Sequence, residues 1–133
     1  MILSIITADI INISHKIGVG IIGVTPVLPF LVEVATRRKK KHKRRIYIGL
    51  GIINFGVLLT YYFNNDVCIL SKCENYFNPI KYEIYQVGLE TKNNLYVSCI
   101  CLGIQAISNK FEQRAVAVGS YYAHLIYSFF AHN

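Results

Sequence analysis

The sequence predicts an all-α, polytopic membrane protein with three to four transmembrane helices and a short N-terminal amphipathic helix. Three observations carry that expectation. Hydrophobic residues make up 53% of the chain and charged residues 16%, where soluble domains run at roughly 45–50% and about 25%. A soluble domain of 133 residues would need more polar surface than this to cover its exterior. Long uncharged stretches recur along the chain. Between the first two of them sits RRKKKHKRR, residues 37–45, which holds eight of the 14 Lys and Arg.

The elements follow in order. In MILSIITADIINI, residues 1–13, the apolar Ile2, Leu3, Ile6, Ile10 and Ile13 recur at helical spacing while Ser4, Asp9 and Asn12 fall elsewhere, the pattern of a helix lying in an interface. No basic segment precedes it and no small-residue cleavage site follows, so it does not read as a secretory signal, nor as an Arg-rich transit peptide. Residues 17–36, IGVGIIGVTPVLPFLVEVAT, carry one charge, Glu33. At about 1.5 Å per residue they match a hydrocarbon core about 30 Å thick, with a kink expected at Pro26 and Pro29. Residues 46–63 are uncharged, with Tyr47, Tyr61 and Tyr62 near the ends as in an interfacial aromatic belt. Residues 95–108 are uncharged but short, and need residues 91–94 or Asn109 to reach across. Residues 115–131 form the fourth candidate span, joined to the third by NKFEQR, a length that suits an antiparallel helical hairpin.

The net charge of +7 is local. Outside residues 37–45 the chain has six Lys and Arg against seven Asp and Glu, so no basic track exists of the kind nucleic acid requires. A dense basic loop between spans is instead a topology determinant that stays on the cytoplasmic or matrix side. Arg37, Arg38, Lys39, Lys40, Lys41, Lys43, Arg44 and Arg45 are also expected to contact anionic lipids such as cardiolipin. In a four-span arrangement the first and third loops hold ten Lys and Arg, while the N-terminal segment and residues 64–94 hold four, which agrees with that rule.

Candidate sites are few. Cys68 and Cys73 form a C-x4-C pair on the side opposite the basic loop, where a disulfide is expected to be compatible. Cys99 and Cys101 read as small packing residues. Neither spacing matches a zinc pattern, and no metal is expected. His124 lies inside the last span and is a candidate haem or proton site, set against a neutral histidine bonded to a neighbouring helix. A haem would need a second axial ligand from another subunit, and no cofactor is expected in the chain alone. Asn54 and Gln105 suit hydrogen bonding between helices, and Glu33 can pair with Arg37 one turn away.

The small residues form rows: Ala115, Gly119 and Ala123 on the last span, Gly49 and Gly56 on the second, Cys99 and Gly103 on the third. Such rows let membrane helices approach closely. No nucleotide loop, nucleophile elbow, zinc-protease motif or paired carboxylate occurs, so the chain is not expected to be an enzyme by itself. The expected work is that of a structural accessory subunit of a larger membrane complex, in a mitochondrial inner-membrane respiratory or ATP-synthase-type assembly. Two alternatives remain: a small homo-oligomeric carrier or channel lined by Pro26, Pro29, Asn54 and His124, and a redox subunit contacting haem or quinone through His124.

Overall fold

Nothing interrupts a helix before Pro26, which lacks an N–H and so cannot continue the hydrogen-bond ladder of the turn before it. In the computed structural model, which describes residues 1–36, 44–84 and 86–131, helix α1 accordingly runs unbroken over Ile2–Val24. The expected interfacial segment and the front of the first expected span are thus one helix. The chain turns through Thr25, Pro26 and Val27 and resumes as α2, Leu28–Thr36. Pro29 sits in the first turn of α2, where a missing N–H removes no intrahelical bond. The kink expected from two prolines is therefore a break at the first and a helix start at the second.

Four more helices follow: α3 Arg44–Phe63, α4 Ile69–Phe77, α5 Leu89–Ile107 and α6 Phe111–Ala131. The described residues are all-helical, with no strand and one isolated antiparallel bridge between Val67 and Gln86. Helix α5 starts ahead of residue 95 and takes in residues 91–94. The turn after α3 is left-handed at Asn65 and Asp66 (φ 54° and 64°), which short polar side chains tolerate. Asp66 ties this turn down: its N–H donates to Tyr61 O at 2.7 Å, its carbonyl accepts from Val87 N–H at 2.5 Å, and its carboxylate meets Lys92 Nζ at 2.9 Å.

Helix α3 buries Tyr47, Asn54, Leu58 and Tyr61, positions seven, four and three apart that share one face. That face meets α5, which buries Leu95, Ser98, Cys101, Leu102, Gln105 and Ala106. Helix α6 packs on the far side of α5 through Ala117, Val118 and Tyr121. Helix α2 reaches α6 by a stack of Phe30 on Phe111, centroids 5.2 Å apart, and by an ion pair between Glu33 and Arg114. Helix α4 lies along α1, held by Ser4 Oγ donating to Phe77 O.

A hydrogen bond from Asn54 to Thr25 puts the helix break level with the middle of α3. Nine residues separate Asn54 from the end of α3 at Phe63, and about as many separate Thr25 from His15, so the shared rise of about 1.5 Å per residue places His15 at that same end. Residues before His15 project beyond α3 and rest on α4. Two helices, α1 and α3, are long and apolar enough to cross a membrane. Ala8 is the buried residue of α1; Ile10, Ile17, Val19 and Ile21 are all more than half exposed.

Candidate functional site

A broken helix leaves carbonyls without intrahelical donors, and burial makes each of them costly unless another element supplies one. Here the neighbouring helices do so. The Gly23 carbonyl accepts from Tyr121 OH of α6 at 2.8 Å, and the Pro26 carbonyl from Gln105 Nε2 of α5 at 2.7 Å. The Ile22 carbonyl accepts from Thr25 Oγ1 at 2.8 Å. Asn54 Nδ2 donates to Thr25 Oγ1 at 2.9 Å and to Leu50 O at 2.8 Å, while its Oδ1 accepts from Ser98 Oγ at 3.0 Å. Asn54 and Gln105 are both 0% exposed. These two residues were expected to join helices; what they join is the break between α1 and α2. The sequence does not show that Tyr121 completes the set. Tyr121→Phe is expected to lower stability by about 1 kcal/mol, the net worth of one hydrogen bond, and denaturation in detergent would measure it.

Beside this cluster, on the side of the α3 C-terminus, lies a cavity of about 510 Å³. Apolar side chains from α1, α3 and α5 make most of its wall, among them Val19, Val57 and Leu95, and His15 and Cys68 lie at its edge. Cys68 is the N-cap of α4. Its Sγ stands 3.4 Å from His15 Nε2, and His15 Nδ1 stands 3.0 Å from Glu74 Oε1. Glu74 is buried at 5% exposure. Further out on the same face, Asp9 accepts from Tyr82 OH at 2.5 Å and from Lys81 Nζ at 3.2 Å. The Asp9 carboxylate raises the titration of the Tyr82 phenol and of the Lys81 ammonium above their ordinary values.

Cys68 and Cys73, a suggested disulfide, are free thiols. Positions five apart on or next to a helix point about 140° away from each other, and Cys68 is turned toward His15 instead. His124 Nε2 lies 2.9 Å from Asn94 Oδ1, the contact of a histidine bonded to a neighbouring helix. Cys101 is buried and Cys99 half-buried, with Cys99 Sγ facing Gly51 O at 3.9 Å. Glu33 is bonded to Arg114 of α6; the pairing expected with Arg37 lies outside the described residues.

Of the basic run, Arg37, Arg38, Lys39, Lys40, Lys41 and Lys43 lie outside the described residues. Arg44 donates from Nε to Ala106 O at 2.8 Å and so caps the end of α5; a cation there also complements the helix dipole. Arg45 is exposed. Within the chain, the glycine that lies against another helix is Gly51, where an added Cβ would meet Leu102 Cβ at 3.8 Å; Gly49, Gly56, Gly103 and Gly119 have nothing within 4 Å. The row on α6 faces outward, with Gly119 and Ala123 exposed and Ala115 half-buried.

No family model matches this chain, and no curated protein or solved structure matches it.

Neither His15 nor Glu74 is marked as a site residue by its local sequence. One signal for His15 is present: antiparallel spans put residue 15 and the loop beginning at residue 64 at the same end. Nothing local marks Glu74 as the partner, since it is 59 positions from His15.

Proposed function

We propose that this chain is a structural subunit of a membrane assembly, crossing the bilayer several times and binding partner helices through its outward faces. The observation that supports it is that polar side chains are buried between the helices while many large apolar ones face outward. The inner faces hold Asn54, Ser98, Gln105, Arg114 and Ser128, while Ile52, Ile53, Ile100, Val116 and Phe129 are exposed. An apolar exterior of this extent suits lipid or other helices rather than water. In this reading the second half of α1 together with α2 makes one pass antiparallel to α3, and α5 and α6 make two more. Irregular backbone at membrane depth is tolerated only where protein covers it, which is what Tyr121, Gln105 and Asn54 provide at the break. Residues 37–45 then lie on the cytoplasmic or matrix side, where anionic headgroups would meet them.

The outward row Ala115, Gly119 and Ala123 is the surface on which another helix could approach most closely. Gly119→Leu is expected to leave insertion and the thermal stability of the purified chain unchanged within about 0.5 kcal/mol, because the space at Gly119 is open. On native gels of solubilised membranes, the variant should migrate free of the large assembly that retains the wild type. Retention of the variant in that assembly would remove the row as an interface, and a wild-type chain that migrates alone would remove the reading itself.

A further inference from the structure

The cluster at the end of α3 has a chemistry that helix packing does not use. Cys68 Sγ, His15 and Glu74 stand in the order nucleophile, base and base-orienting group, with contacts of 3.4 Å and 3.0 Å. With Nδ1 donating to the Glu74 carboxylate, Nε2 presents its lone pair to the thiol. That is the arrangement by which a histidine takes a proton from a cysteine and a third group holds its tautomer. Cys68 also begins α4, nine residues long and without a side-chain cap at this end, so the N–H groups of its first turn are donors for negative charge developing nearby. His15, Cys68, Ile69 and Leu70 all border the cavity of about 510 Å³, a volume within the range of about 300–1,000 Å³ that holds small ligands. Its largely apolar wall suits a hydrocarbon tail.

The geometry points to Cys68 as a nucleophile that accepts the acyl group of a long-chain carboxylic ester or thioester, with His15 as the catalytic base and Glu74 as a positioning residue. His15 Nε2 takes the thiol proton as the sulfur attacks the carbonyl carbon, and the oxyanion forms against the N-terminus of α4. Collapse breaks the bond to the leaving oxygen or sulfur, which takes the proton from His15, leaving an S-acyl thioester on Cys68. Water then attacks that thioester, gives its proton to His15, and releases the fatty acid while the proton returns to the thiolate. The net change is ester plus water to acid plus alcohol, or thioester plus water to acid plus thiol.

The test is intact-protein and peptide mass spectrometry of the purified full chain after incubation with palmitoyl-coenzyme A in one arm and dioleoylphosphatidylcholine vesicles in the other. An acyl mass on Cys68 with the first donor alone assigns an activated thioester as the source, and labelling from vesicles assigns a lipid ester; either supports the transfer. Cys73→Ala should keep the label and Cys68→Ala should lose it. His15→Gln should slow labelling by about 100-fold or more, the usual worth of general-base catalysis. Glu74→Gln should retain more of the rate than Glu74→Ala, with helix content unchanged in both. Absence of both acyl label and released fatty acid with both donors, equal labelling of all four cysteines, or a Cys68 rate unaffected by His15→Gln would overturn the assignment. The labelling is read on the isolated chain, so its failure leaves the native-gel result for the assembly standing.

Discussion

Arg114→Ala is expected to lower the stability of the folded chain by about 1.5–3 kcal/mol, the worth of hydrogen bonds to a charged group, since the Glu33 side chain left behind is 27% exposed. Arg114 is 4% exposed. Its Nε donates to Glu33 Oε2 at 3.0 Å, its Nη2 to the other carboxylate oxygen, and its Nη1 to Ser108 O at 3.0 Å. This two-point grip on the carboxylate fixes α2 to α6. Truncation removes two charge-assisted hydrogen bonds from the Glu33 carboxylate, and the Ser108 carbonyl at the α5–α6 connection loses a donor. Replacing both partners with apolar groups, Arg114→Met with Glu33→Leu, should recover most of the loss, because the carboxylate is then removed together with its donor. Denaturant titration in micelles, followed by tyrosine fluorescence and helix content, measures both. A loss below about 1 kcal/mol for Arg114→Ala, the worth of an exposed pair, would mean that the pair is hydrated and does not anchor α2.

Asn54→Ala is expected to cost about 1–3 kcal/mol, the penalty for leaving a buried polar group unsatisfied. That exceeds the membrane average of about 0.6 kcal/mol for a single interhelical hydrogen bond, because Asn54 serves Thr25, Leu50 and Ser98 at once. The damage falls mainly on Ser98: Thr25 Oγ1 keeps its bond to Ile22 O, whereas the Ser98 hydroxyl loses its acceptor. Asn54→Ala with Ser98→Ala should therefore cost less than the sum of the two single changes, by about 0.5 kcal/mol or more in a double-mutant cycle. Strict additivity would show that the two side chains act separately and that the break at Thr25 does not depend on their contact.

What a linear reading could establish was set by local forces. The absence of proline before residue 26 determines that α1 is continuous, and two prolines three apart determine where it stops and where α2 starts, since both effects act within one turn. The all-helical class follows from uncharged runs of helical length and the apolar faces of α1 and α3 from the same residues, because hydropathy is summed along a segment without reference to its neighbours. The merging of residues 1–13 with the helix that follows was also local, but the change from amphipathic to fully apolar pattern at His15 masked it: periodicity marks a change of environment, and helix propensity does not respond to that change.

Tertiary structure decided which polar groups meet. Glu33 and Arg114 are 81 positions apart, Gln105 and Pro26 79, and His15 and Glu74 59. Arg114 was out of reach of any local reading of Glu33; the approach of α6 brought it there. Gly51, rather than Gly49 or Gly56, lies against α5 because the rotation of α3 about its own axis is set by Tyr47, Asn54, Leu58 and Tyr61 finding their partners, a packing outcome that no seven-residue repeat specifies. The cysteines obey the same division. Their spacing along the chain allowed a pair, but Cys68 became the N-cap of α4 and turned toward an imidazole on another helix, since a side chain's partner is chosen by the helix packed against it.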